Sequence, residues 1–424
     1  MTRTIELENI TKIEGHAKLT LKVNTNNEIE KCELESIEGS RYFEGMLKGR
    51  RYNEATEITS RICGICSGAH IIASIQAMEN ALGFVASKEL KDLRELFTMG
   101  ERIRSHVTHL HFLSLPDFFN VANGIELTKT HKMEVVRALK LMKLGNDMMT
   151  ILGGRDLHAV SMQVGGALKI PTREELDDLK KRLQNVMPDA IEIVKLFESL
   201  DYPVFENKAE NFSLKEEGKF PLISGSIVSE NINFPQNDYY KFINEYHESR
   251  STCNFAVKEG KSIITGALAT LNHNYKNLTG EAKKLVDASK IKLPSYNPFH
   301  NLYAQAVENL FFIERSIKLC DGNYENAKFQ NINIKAGRGI SVIEAPRGFL
   351  LHDYELDSNG KILKANIVTP TAHNLKFMEE CVKKFLPQIL NLENDEIVLK
   401  IEMLIRAFDP CFSCSSHFLE VKWE

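Results

Sequence analysis

The chain has 424 residues, with 53 Lys and Arg against 57 Asp and Glu and a formal charge of −4. So nearly neutral a balance gives no bulk drive toward nucleic acid or an anionic membrane surface. With 43 % hydrophobic and 26 % charged residues, the composition is that of a globular protein with a large core and excludes a mainly disordered chain.

No window holds the roughly 18–20 uncharged apolar residues that a membrane helix needs. The nearest, Ser105 to Gly124, contains three His, a Pro and an Asp. The opening residues MTRTIELENI carry no apolar signal core. The expectation is a cytoplasmic protein with no direct membrane span, export on a signal-bearing partner being left open.

Over about residues 1–40 the pattern is that of strands. TIELENI, AKLTLKV and IEKCELESI alternate apolar and polar residues, and NTNNE between the last two supplies turn chemistry. A small antiparallel sheet is predicted there. From about residue 55 to about residue 330 the period is helical. Ser87 is placed to cap a helix with the apolar face Leu90, Leu93, Phe97, Met99, Ile103, Val107 and Leu110, ending near Pro116. Thr172-x-x-Glu175 reads as a capping box for the face Leu176, Leu179, Leu183 and Val186. Pro188 is predicted to kink or break that helix before Ile191, Val194 and Phe197 resume it. Residues 202–237 read as irregular. GFLLHDYEL and KILKANIV flank Ser358-Asn359-Gly360, a hairpin signal. Asn394 is placed to cap a last helix through Ile397, Ile401, Leu404 and Ile405, which leads into Asp409-Pro410-Cys411.

Eight cysteines are too few for a disulfide scaffold in a chain of this length. Cys32, Cys253, Cys320 and Cys381 are isolated. The other four form two Cys-x-x-Cys pairs, Cys63/Cys66 and Cys411/Cys414. Two such loops offer four thiolates, the set used by structural zinc and by small iron–sulfur centres. Zinc ribbons hold their pairs some 15–20 residues apart. These pairs stand near opposite ends of the chain, which suits a buried site joining distant parts of one core. The fold expected is therefore α+β, mainly α: a long-helix core with a small N-terminal sheet and a late hairpin, in one cooperative unit. His70 follows the first pair and His417 the second, and a zinc site with four sulfurs needs neither.

At these residues the sequence resembles the large subunit of nickel–iron hydrogenases. RICGICSGAH is similar to the family's first metal motif and DPCFSCSSH to its C-terminal one. Further matches are Ile13-Glu14-Gly15-His16, Arg41-Tyr42-Phe43-Glu44 with Leu47-Lys48-Gly49-Arg50, and Gly153-Gly154-Arg155 with His158 and Val164-Gly165-Gly166. Two more are Glu344-Ala345-Pro346-Arg347-Gly348 and Thr369-Pro370-Thr371-Ala372-His373-Asn374. The motifs run in order through nearly the whole chain. Lys12, Ala159 and His373 depart from frequent family residues in the direction of the cytoplasmic, cofactor-coupled branch.

The resemblance implies reversible heterolytic cleavage of H2 at a nickel–iron pair whose iron carries CO and CN ligands. Cys63 and Cys411 would bind nickel terminally, and Cys66 and Cys414 would bridge the metals. Arg347 and Thr371 would donate to the cyanides, with Pro346 and Leu350 lining the pocket. Arg347 is also a candidate base, with Asp409 as partner to its guanidinium and Asp117 as a second candidate for that canopy. Glu14 would relay the proton, and His70 would donate to a cysteine sulfur. A magnesium-like ion would be held by Glu44, His417 and the carbonyl of Ile367. Competing readings are a surface salt bridge for Arg347, a loop residue for Asp117, a solvated strand-end carboxylate for Glu14 and a core histidine for His70.

The family's maturation implies that residues 418–424 are a tail cut off behind His417, leaving a large-subunit unit over 1–417. Implied partners are an iron–sulfur small subunit, further electron-transfer subunits, a maturation endopeptidase, nickel-insertion proteins and H2. Two alternatives stand beside the enzyme. One is a hydrogen sensor of the same fold, with Ile65 narrowing a gas channel. The other is a zinc-stabilised structural protein.

Overall fold

The computed structural model describes residues 3–416. The N-terminal sheet is β1 (Arg3–Leu7), β2 (Ala17–Val23) and β3 (Ile29–Ser36), antiparallel in chain order. β2 is central and buries Ala17, Leu19, Leu21 and Val23, as its period of two dictates.

The helical core begins with α1 (Ser67–Leu82) and α2 (Lys88–Thr108). Ser87 Oγ caps α2, accepting the Leu90 N–H at 3.1 Å. The helical path does not end at Pro116. It widens into a π turn over His109–Ser114 and closes with Leu115–Phe118, where Pro116 occupies the first turn and removes no bond the helix needs. Next come α3 (Lys132–Gly153), α4 (Arg173–Ser199) and α5 (Asn301–Leu319). α2 and α3 cross closely because both carry glycine at the contact. A Cβ on Gly100 would lie 2.8 Å from Met148 Cβ, and one on Gly145 would lie 2.7 Å from the Gly100 carbonyl. α4 has both halves of the expected capping box. It also runs through Pro188 without the break that the sequence allowed. Pro188 and Gln184, one turn earlier, face solvent, so the carbonyl that loses its N–H partner there is open to water. Buried Val186, Ala190 and Ile193 hold the helix to the core on either side.

Residues 202–237 are irregular apart from four strands of two or three residues. The late hairpin is part of a three-stranded sheet, β4 (Gly337–Ala345), β5 (Gly348–Leu356) and β6 (Ile362–Val368). β4 lies so close against α1 that a Cβ on Gly339 would meet the Ala77 carbonyl at 2.1 Å. Then follow α6 (Pro370–Phe385), α7 (Asn394–Ala407) and the single turn α8 (Phe412–Ser415). Asn394 is the first residue of α7, whose cap position is Glu393 without a side-chain bond. One apolar core fills the space among α1 to α5. A second lies between the N-terminal sheet, α6 and α7. The C-terminal segment joins them, with Cys411 and Cys414 in the first and Phe412 in the second. Among the described residues no helix is long and apolar enough to cross a membrane.

Candidate metal centre

Cys63 and Cys66 sit on the loop leading into α1, with Cys66 at its N-cap position. Cys411 and Cys414 follow α7 across Asp409, whose φ of 50° turns the chain sharply. The two loops meet, and the four sulfurs lie within 4.8 Å of one another. Cys63 Sγ is 3.8 Å from Cys411 Sγ, and Cys66 Sγ is 3.3 Å from Cys414 Sγ, so each close pair takes one sulfur from each motif. With metal–sulfur bonds of about 2.3 Å, sulfurs at this spacing can share metal ions between them.

All four cysteines are buried and unbridged. The S–H groups of Cys411, Cys414 and Cys66 hold Cys63 well below the usual thiol range. Cys66 is drawn down by Cys411 and Cys414, yet its bond to Cys63, burial and the charge on Cys63 push it up to about 11. Burial and the neighbouring sulfurs push Cys411 and Cys414 well up. Holding all four as thiolates in this buried cluster requires a bound cation.

Three charged residues that the sequence reading gave no role fix these loops. Arg41 Nη2 donates to the Ile62 carbonyl at 2.7 Å and also to the Ser413 carbonyl, so one guanidinium spans both cysteine loops. Arg104 Nη2 donates to the Ile65 carbonyl at 2.7 Å. Glu101 accepts the Gly68 and Ala69 N–H groups at 2.6 and 2.8 Å, closing the N-terminus of α1. Burial raises its carboxyl to about 7 against the pull of Arg104. Arg41 lies within a family motif, yet no sequence signal marks it as a clamp.

Arg347 occupies the turn between β4 and β5 beside Pro346. Its Nε donates to Asp409 Oδ1 at 3.0 Å, as expected. Burial opposes its charge, but Asp409 and the sulfurs of Cys411, Cys66 and Cys63 hold the guanidinium well above its ordinary value. Its Nη1 is buried with no hydrogen-bond partner among the described residues. Gly348 has φ 127°, and a Cβ there would meet Thr265 Oγ1 at 2.3 Å, so the turn demands glycine. Thr371 Oγ1 accepts the Cys411 N–H at 2.8 Å, leaving its own proton for another acceptor. Leu350 is buried on β5 opposite Ile343.

Asp117, the second candidate for this canopy, has its hydrogen bonds elsewhere: it binds Lys12 and, at 2.8 Å, Arg406 Nη1. Glu14 lies beside Cys411 in a parallel bridge, the Phe412 N–H donating to its carbonyl at 2.9 Å. Its Oε2 accepts from Cys411 Sγ at 2.7 Å, and its Oε1 accepts from Ser413 Oγ. His70 is buried in the first turn of α1. Its Nδ1 lies 3.1 Å from His352 Nε2, so the neighbour at that nitrogen is a histidine rather than a sulfur. Glu44 Oε1 accepts the Ile367 N–H at 2.8 Å. His417 and residues 418–424 lie outside the described residues.

A family model described as nickel-dependent hydrogenase matches residues 41–136 and 259–417, and a HoxL-like model matches residues 4–38. The alpha chain of sulfhydrogenase 1 from Pyrococcus furiosus is 34 % identical over 423 residues, covering 98 % of each chain. The corresponding chain of an F420-non-reducing hydrogenase from Methanothermobacter thermautotrophicus is 28 % identical, over 98 % of this chain and 95 % of that protein. An H2-reduced NAD+-reducing NiFe-hydrogenase superposes with a TM-score of 0.90 at 24 % identity, over 98 % of this chain and 99 % of its own. The Ni-Fe-Se hydrogenase of Desulfomicrobium baculatum does so at 0.78 and 20 %, over 98 % and 100 %.

Proposed function

The chain belongs to the nickel-dependent hydrogenases, and from that premise we propose that it is the catalytic large subunit, with Cys63, Cys66, Cys411 and Cys414 holding a nickel–iron pair. The observation that carries this reading is the meeting of four soft sulfurs beneath a buried guanidinium that keeps one donor unspent. A closed zinc tetrahedron has no use for that donor. A metal carrying anionic ligands does, which supports CN and CO on the iron with Arg347 Nη1 and the Thr371 hydroxyl as donors. In this reading Cys63 and Cys411 would hold the nickel, and Cys66 and Cys414 would serve both metals.

When bound, the metal pair supplies the electron-accepting centre at which hydrogen is split heterolytically. The protein's share is to hold and move the proton. Cys411 Sγ stands 2.7 Å from Glu14 Oε2, within reach of direct transfer. Glu14 is half-buried, and its other oxygen is bonded to Ser413 Oγ, so a proton taken from the thiol can pass outward. Asp409 fixes Arg347 above the sulfurs, where its charge favours their ionised forms.

The electrons need a separate carrier chain. Among the described residues no second group of three or more metal-binding side chains converges, and Cys32, Cys253, Cys320 and Cys381 stand apart. The relatives are each named as one chain of a larger hydrogenase, which supports an iron–sulfur small subunit here, together with further electron-transfer subunits. Glu44 beside Ile367 supports a magnesium-like ion completed by His417. We further assign removal of residues 418–424 by a maturation endopeptidase after nickel insertion.

The deciding experiment is elemental analysis of the native complex, purified without oxygen from cells that have the maturation machinery. About one nickel per chain with iron in excess is expected. Zinc alone in an active preparation refutes the assignment. Intact mass of the nickel-loaded chain should lack residues 418–424, and a full-length mass refutes the processing.

A further inference from the structure

The start of α6 touches the C-terminal cysteine loop at one point and the Arg347 turn at another. Thr371 Oγ1 accepts the Cys411 N–H at 2.8 Å. Asn374 stands three residues further along the same helix, so the two side chains share one face. Asn374 has no part in the proton path, and its amide reaches two other segments of the chain. Its Oδ1 accepts the Thr265 N–H at 2.9 Å. Its Nδ2 donates to the Thr265 carbonyl at 3.2 Å and to the Arg347 carbonyl at 3.4 Å. A main-chain N–H only donates and a carbonyl only accepts, so one orientation of the amide fits and the flipped one does not.

Thr265, just before the helix Ala267–Asn274, completes a clasp. Its Oγ1 accepts the Phe349 N–H at 3.2 Å and donates to Asn374 Oδ1 at 3.3 Å. The carbonyl before Gly348 and the N–H after it are therefore held by one pair of side chains. Thr265, Asn374 and Arg347 are all buried, so water does not compete for these bonds.

We infer that Asn374 and Thr265 are positioning residues for Arg347. With Thr371 they make the start of α6 a gauge that sets the height of the guanidinium over the cysteine sulfurs. Asp409 holds the Arg347 side chain at Nε, but a long side chain is placed only as well as the main chain it grows from. The clasp fixes that main chain. Three residues of helix span about 4.5 Å along the axis, and the helical hydrogen bonds keep that spacing from stretching. The Cys411 loop hangs from one end of the gauge and the Arg347 turn from the other.

The positioning role rests on the hydrogenase reading, whereas the clasp itself does not. Asn374→Ala removes the amide. Thr265→Val keeps the shape of the side chain and leaves the Phe349 N–H without its acceptor, and Thr265→Ser restores that acceptor. The variants are compared in the complete complex by kcat and KM for hydrogen, nickel content and the infrared bands of the CN and CO ligands. In Asn374→Ala and Thr265→Val we expect kcat to fall about tenfold or more, with KM and nickel content unchanged. The cyanide bands should shift, because a displaced Arg347 donates differently, and Thr265→Ser should recover both kcat and bands. Wild-type kcat and unshifted bands in both loaded variants overturn the positioning role, even where the melting temperature falls. If neither variant assembles, a crystal structure of the complete wild-type enzyme decides. Asn374 bonded to the Arg347 and Thr265 main chains upholds the clasp, and an amide turned to other partners overturns it. A wild-type enzyme without nickel would defeat the hydrogenase reading and leave that crystallographic result to stand or fall by itself.

Discussion

Replacing Arg41 by Met should loosen the metal centre without touching a metal ligand. Arg41 donates from one nitrogen to carbonyls on both cysteine loops, Ile62 on one side and Ser413 on the other. Its guanidinium also lies 5.3 Å from the Phe43 ring centroid, a contact that keeps it seated. A hydrogen bond from a charged donor contributes about 1.5–3 kcal/mol. Arg41 is half-buried, so solvent screening argues for the low end, about 3 kcal/mol for the two bonds together. Met fills a similar volume, so the loss is electrostatic rather than a cavity. If most of that energy holds the loops together around bound metal, nickel release should quicken about hundredfold, since each 1.36 kcal/mol is tenfold in rate. The assay is nickel remaining in the complex against time under a chelator, with the melting temperature of the nickel-free protein alongside. Arg41→Lys should restore part of the retention, because one ammonium carries donors enough for both carbonyls. Wild-type nickel retention in Arg41→Met would refute the clamp, whatever the melting temperature.

Glu14→Gln keeps an acceptor for Cys411 but cannot carry a proton, so hydrogen oxidation should fall about hundredfold or more at unchanged nickel content; near-normal turnover would remove Glu14 from the path. His373 is buried against Tyr239 Oη and the Thr369 carbonyl, each at 2.7 Å, and burial depresses it from 6.5 to about 4. It stays neutral in the folded state while the unfolded chain protonates, so its contribution is fully present above pH 6.5 and is lost as pH falls through 4. The loss should approach about 3 kcal/mol. Denaturant unfolding of wild type and His373→Gln should therefore converge across that window, and parallel curves would refute the depressed value. Gly100→Ala forces a methyl onto Met148 at the α2–α3 crossing and should destabilise by about 1–3 kcal/mol, read as a lower melting temperature.

The chemistry was more legible in the sequence than the scaffold around it. Two Cys-x-x-Cys loops announce themselves by spacing, and the N-terminal strands by alternation. Both signals are local. Strand β4 escaped because all but its first two residues are buried, and a strand covered on both faces shows no alternation. Pro188 does not end its helix, because the carbonyl it leaves without an N–H partner faces water and buried residues on either side hold the helix to the core. Asp117 was placed in the canopy by the resemblance alone. In the structure it bonds Arg406 instead. Arg41, Glu101 and Arg104 act through contacts with residues far away in the chain, and no pattern in one sequence encodes a partner at that distance.

The bridge between Glu14 and Cys411 gives the centre a birth order. Cys63 and Cys66 are made first, together with the helix that carries them, and Cys411 follows Cys66 by 345 residues. At about 5–20 residues per second, the first cysteine loop waits on the order of tens of seconds for its counterpart. During that interval half of the site is open to whatever delivers metal. The arrival of residues 409–416 then works as a latch: Phe412 enters one core, the cysteines beside it enter the other, and Ser416 bonds back to Ser36 and to the Arg41 main chain. The segment that shuts the site is therefore the one whose downstream end is proposed for trimming.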